Sequence, residues 1–194
     1  PAFGKEQPDG TWRPLHVDES VLAFSIHRYV ECTSCHLTFA EGQVIRGAAL
    51  QDLCATCHAQ ERELQQASIH SDPEVTTCLD CHNPGGRGHG IQRVVSAQSP
   101  VFKTNVAETC GRCHSDEEMM ARYGLEEDVY DTYMKSPHGK AVRLMGSELD
   151  GLSPATCVDC HGAHDVKKVD DPASAVGGIA NLTKTCASCH SGAN

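Results

Sequence analysis

The stretch TCVDCHGAHDV, Thr156 to Val166, sets Cys157, Cys160, His161 and His164 close together. Its Cys-x-x-Cys-His core recurs along the chain: Cys32-Thr-Ser-Cys35-His36, Cys54-Ala-Thr-Cys57-His58, Cys78-Leu-Asp-Cys81-His82, Cys110-Gly-Arg-Cys113-His114, Cys157-Val-Asp-Cys160-His161 and Cys186-Ala-Ser-Cys189-His190. All 12 cysteines are used, two per copy, so there are six copies and no cysteine is left over. On a helical turn, positions i, i+3 and i+4 share one face. Two sulfurs can then meet the two vinyl groups of a porphyrin while the histidine lies beneath its iron, which is the attachment chemistry of a c-type haem. Zinc ribbons and redox disulfides also use Cys-x-x-Cys, but neither demands a histidine after the second cysteine every time.

Composition agrees with a chain built around cofactors. Of 194 residues only 5% are aromatic, one is Trp, and 39% are apolar even with cysteine included. Such a chain has little apolar surface for a conventional core, and six porphyrins would supply it. A thin polypeptide with short α-helices, much irregular backbone and little or no β-sheet is expected, and the apo form should not fold. Sixteen basic against 26 acidic residues leave a net charge of −10, before any haem propionates are added. That balance argues against nucleic acid and anionic lipid as partners. No segment approaches the ~20 apolar residues of a membrane span; Val21–Phe24 is typical of the longest runs. Covalent haem attachment takes place outside the cytoplasmic membrane, so the absence of a signal segment implies a mature or trimmed form, periplasmic or extracellular. There is no N-terminal cysteine to carry a lipid.

A degenerate repeat organises the chain. Ser25-Ile-His27, Ser68-Ile-His70 and Ser136-Pro-His138 each precede a pair of signatures. Asn105-Val-Ala-Glu-Thr-Cys110 aligns with Asn181-Leu-Thr-Lys-Thr-Cys186, and Ser99-Pro-Val101 with Ser174-Ala-Val176. The reading is one domain, 1–194, with sub-modules 1–60 (an arm plus a dihaem unit), 61–118, and 119–194 (a helical linker plus a dihaem unit). Helix formers run from Gln51 to about Ala67, and a second helix is expected near 127–135. Ser136 and Pro137 suit the N-cap and first position of a further turn bearing His138. Residues 83–90 and 169–178 read as loops.

The histidine count explains His164. Twelve histidines are present. His36, His58, His82, His114, His161 and His190 are the proximal ligands inside the signatures. His16, His27, His70, His89, His138 and His164 remain, one for the distal face of each iron. The simplest pairing stays within modules: His70 with the third signature, His89 with the fourth, His138 with the fifth and His164 with the sixth. His27 and His16 would serve the first two. The alternative hands each Ser-x-His ligand back to the preceding module. Met119, Met120, Met134 and Met145 lie among aromatics and acidic residues and read as packing residues. Two histidines per iron imply low potentials, spread by exposure and hydrogen bonding. His16 lies in a polar arm, PAFGKEQPDGTWRPLHVDES, that cannot bury enough surface to hold itself. It can fold back on its own module or reach the next subunit.

SPHGKAVRLMGSELDGLSPATCVDCHGAHDV closely resembles the Ser-x-His-Gly and Cys-x-x-Cys-His-Gly-x-His block of multihaem c-type cytochromes. Through its signatures the resemblance extends over nearly the whole chain; the first module departs from it, lacking a histidine three residues after a signature. The resemblance implies a multihaem cytochrome c fold wrapped around a chain of haems, and electron transfer rather than enzymatic turnover. Its partners would be redox proteins or extracellular electron acceptors, and some members of the family polymerise into filaments, so a head-to-tail homopolymer is a further expectation. A haem-dependent reductase or an electron-delivery subunit is the alternative, and a reductase needs an iron with an open position. Denaturing mass spectrometry of mature protein should find six covalent haem c adducts per chain; fewer adducts, or stoichiometric zinc, would contradict the signature reading.

Overall fold

The computed structural model describes residues 4–6, 8–14, 17–36, 45–126, 128–145 and 154–192. A two-stranded antiparallel hairpin opens it, β1 (Gly4–Glu6) against β2 (Trp12–Pro14), with Glu6 opposite Trp12. Asp9 turns the hairpin by accepting from the Thr11 backbone N–H, and Gly10 takes φ +79°. The polar arm thus carries a small piece of regular structure; its histidine, His16, lies outside the described residues.

The rest is short helices and turns. They are α1 (Glu19–Ala23), α2 (Cys32–Cys35), α3 (Gly47–Ala55), α4 (Ala59–Gln66), α5 (Cys78–His82), α6 (Val106–His114), α7 (Glu117–Tyr123), α8 (Val129–Lys135), α9 (Pro137–Met145), α10 (Cys157–His161) and α11 (Gly178–Ala187). The fold is therefore mostly irregular with short α-helices, as the composition requires. The single helix expected over 51–67 is instead two, α3 and α4, broken at Thr56–His58. There the chain turns through the second signature: Cys57 N–H donates to Cys54 O, and His58 N–H to the same oxygen. The turn carrying His138 is longer than expected, a nine-residue helix. Ser136 starts it by accepting from Gly139 N–H at 3.1 Å.

Burial is inverted relative to an ordinary globular domain. Among the described residues the buried apolar set is Val106, Ala107, Met120 and Val142, fewer than the buried polar set of Ser25, Gln51, Ser68, Ser99, Thr156 and Ser174. Meanwhile Tyr29, Val95, Leu144 and Ile179 stand more than three-quarters exposed. At roughly 1.5–3 kcal/mol per fully buried aliphatic side chain, four such residues cannot offset the ordering of this backbone. Something other than an apolar polypeptide core must hold it. Met120 is part of the small cluster, as the packing reading of the methionines requires.

The two stretches aligned by sequence also fold alike. Asn105 Nδ2 donates to Ala97 O and Ser99 O, and Asn181 Nδ2 to Pro172 O and Ser174 O. Thr109 Oγ1 donates to Pro100 O, and Thr185 Oγ1 to Ala175 O. Each pair of bonds anchors a long loop to the helix that ends in a signature, α6 or α11. The α8–α9 corner is tight: a methyl at Gly139 would fall against the Tyr133 carbonyl oxygen and 2.6 Å from the Met134 Cα. Backbone cannot move aside as a side chain can. Gly139→Ala should cost about 1–3 kcal/mol through overpacking, seen as a lower Tm of the holoprotein; an unchanged Tm would mean the corner is looser than described.

Candidate haem-ligand sites

The six signatures take two local forms. The first, third and fifth are isolated single turns: α2, α5 and α10. The second, fourth and sixth close the longer helices α3, α6 and α11. The third and fifth are capped by the same device, which the sequence reading missed although Thr-Cys-x-Asp carries its signal. Thr77 Oγ1 and Thr77 N–H both donate to Asp80 Oδ2, and Thr156 makes the same pair of bonds to Asp159 Oδ2. This capping box satisfies first-turn donors that a one-turn helix would otherwise leave unpaired.

Histidine rings then meet in pairs. His27 faces His58 with centroids 6.1 Å apart, His36 faces His89 at 5.9 Å, and His70 faces His114 at 6.2 Å. His82 faces His164 at 6.0 Å, and His138 faces His190 at 5.8 Å. A ring nitrogen bonds a transition metal at about 2.0–2.1 Å, and with about 1.1 Å from nitrogen to centroid, two imidazoles on opposite sides of one metal have centroids about 6 Å apart. All five pairs match that separation. Each joins one signature histidine to one histidine from outside the signatures, so the donor set fits iron held between two imidazoles. Among the described residues His161 faces no second imidazole.

The pairing differs from the within-module arrangement. His70 meets the fourth signature rather than the third, and His138 the sixth rather than the fifth. His89 reaches back to the first signature and His164 back to the third. A single rule covers all five: each Ser-x-His histidine faces the histidine of the second signature that follows it, and the next histidine along faces that of the signature two before the one it follows. The alternative of handing Ser-x-His ligands backward is likewise not what the rings do.

Backbone bonds explain the exchange. Ile26 N–H donates to Ile91 O at 2.8 Å, and Ile69 N–H to Val166 O at 2.9 Å. The Ser-Ile-His segment of one module thus lies against the segment bearing the next module's reaching histidine. Ser68 Oγ also donates to Val166 O, and Lys167 Nζ to Ala67 O. In both segments the buried serine accepts from the N–H of the histidine itself, Ser25 from His27 and Ser68 from His70, each at 3.1 Å. In the third segment Pro137 occupies the place of Ile26 and Ile69 and has no N–H to donate.

Electrostatics favour neutral imidazoles. Burial pushes His27, His70, His82, His89 and His114 below the ordinary histidine value, and the facing or neighbouring histidine adds to the effect in each; burial alone lowers His161. A neutral ring keeps the lone pair that a metal ligand needs. The signatures also succeed one another in space. The Cys54 and Cys78 thiols share a hydrogen bond that raises Cys54 and draws Cys78 down to about 7. Cys110 and Cys157 share another. Cys35 lies within electrostatic reach of Cys54, Cys113 of Cys81, and Cys186 of Cys160. Each signature neighbours the next in chain order.

Residues 2–90 match the model of the Class III cytochrome C family. Over 128 residues, 59% of this chain, the sequence is 27% identical to multiheme cytochrome MtrA of Shewanella baltica (strain OS185). The match spans 36% of that relative's length. No solved structure matches. The ring pairs make a sharp expectation. In magnetic circular dichroism counts of low-spin bis-imidazole haems, the double variant His36→Ala/His89→Ala should lose one site, because the two residues face each other across a single site. His89→Ala/His114→Ala should lose two. The reverse outcome would restore the within-module pairing.

Proposed function

We propose that this chain is a multihaem c-type cytochrome that transfers electrons through six haems, each held between two histidines. The five ring pairs about 6 Å apart are the observation that carries this reading. When bound, haem iron supplies a one-electron Fe(III)/Fe(II) couple. The chain's own residues do the rest. Cys32, Cys35, Cys54, Cys57, Cys78, Cys81, Cys110, Cys113, Cys157, Cys160, Cys186 and Cys189 fix each porphyrin covalently. The facing imidazoles would hold the iron between them and would favour a low potential. The close succession of signatures in chain order lines the sites up from the first to the sixth, and the acidic surface disfavours approach of other acidic molecules. We place the protein outside the cytoplasm, periplasmic or extracellular, as a conduit between redox proteins or toward an extracellular acceptor.

His161 supports the further reading that subunits join head to tail. It is the signature histidine that faces no second imidazole among the described residues, and His16 is the histidine left over. Under the pairing rule, the first signature of a module takes its ligand from a module that follows it. For His161 the N-terminal arm of another copy, which carries His16, would stand in that position. Heterologous contacts of this kind generate open filaments when the rotation does not close. With His16 supplied, no iron has an open position, which is why electron transfer is favoured over a reductase.

Reduced holoprotein should bind no carbon monoxide near neutral pH, and electron microscopy should show filaments. His16→Ala should open one site per chain to carbon monoxide and abolish the filaments. Stoichiometric carbon monoxide binding by the unaltered protein, or turnover of nitrite or hydroxylamine, would favour the reductase. Filaments unaffected by His16→Ala would remove the arm from the junction.

A further inference from the structure

The third and fifth signatures are built alike yet differ in one charge. Asp80 and Asp159 occupy the same position between the two cysteines, and each accepts from a threonine N–H at 2.6 Å. Each therefore places a carboxylate within a turn of a haem attachment site. Asp159 meets Lys103, whose Nζ donates to both carboxylate oxygens. Lys103 is 56 residues away in sequence, on the loop leading into α6, so this contact is made by the fold. Asp80 has no ion pair among the described residues. Two cations act on the third signature without pairing with Asp80: Arg112 reaches the Cys81 and Cys113 sulfurs electrostatically but bonds to Thr109 Oγ1, and Arg62 reaches Cys78 but pairs with Asp52.

As a stability device the pair is weak. The two side chains are 32% and 35% exposed, and ion pairs of that kind contribute at most about 1 kcal/mol. Its effect on a nearby redox centre is a different matter. An uncompensated carboxylate stabilises the ferric form and lowers the potential, whereas a neutralised one does not.

We propose that Lys103 is a tuning residue for the haem of the fifth signature: by cancelling the charge of Asp159 it holds that site at a higher potential than its structural twin at the third. The inference rests on the third and fifth signatures each holding a haem. It gives two otherwise similar sites a direction, so that electrons moving from the third signature toward the fifth run downhill.

The test is spectroelectrochemical titration of full-length holoprotein at low ionic strength, with haem adducts counted by mass spectrometry for every variant. Lys103→Met should move about one-sixth of the absorbance change to lower potential, and Asp159→Asn the same share to higher potential. The double variant should return near the original curve, because the two charges act in opposite senses, and Asp80→Asn should raise one site with no compensating partner. High salt should shrink the shifts. A clip of purely structural kind would instead give both single variants shifts of one sign, with the double variant no better. That result, or no shift in Lys103→Met with all adducts present, would overturn the role of Lys103. Missing adducts at the third or fifth signature in the unaltered protein would overturn the haem reading beneath it.

Discussion

The fold depends on paired imidazoles that come from distant parts of the chain. His36 with His89 and His82 with His164 join segments that the helices alone do not bring together. In most domains of this size such long-range closure comes from burying aliphatic side chains. Here the buried apolar set is small and buried serines, a threonine and a glutamine outnumber it. Each metal-bridged pair would close a loop of tens of residues, and the thioether bonds would fix each proximal histidine beside it. On the proposed reading, covalent and coordinate bonds would take the place of a hydrophobic core, and short one-turn helices such as α2 would suffice.

The ring pairs and the backbone are mutually consistent. The bond from Ile69 N–H to Val166 O lays the His70 segment along the His164 segment, and the corresponding bond from Ile26 to Ile91 does the same for His27 and His89. Interlocking of this kind makes neighbouring modules one unit, because each supplies a ligand facing a signature of the one before. It also implies that the last module differs from the others: Pro137 lacks the N–H that its counterparts use, and His161 faces no second imidazole among the described residues.

Much of the site was legible in the sequence and its wiring was not. Six signatures and the non-signature histidines were readable because covalent haem attachment demands one fixed spacing. Five of those histidines stand beside a signature histidine, and His16 falls outside the described residues. Pairing escaped because proximity in sequence is a poor guide: His164 follows His161 by three residues, yet its ring faces His82, more than 80 residues earlier. The break in the expected 51–67 helix has a local cause, since residues favouring helix continue through a signature that must turn. Lys103 was invisible for the opposite reason. Nothing near it in sequence marks it, and its partner lies on a different module.

The most direct test of this account is an experimental density map of the mature holoprotein, read for which histidine lies on the distal face of each porphyrin. The account predicts His89 on the haem attached at Cys32 and Cys35, and His164 on the haem attached at Cys78 and Cys81. Density placing His89 on the haem at Cys110 and Cys113, or a water or methionine on the distal face where these histidines are expected, would contradict it.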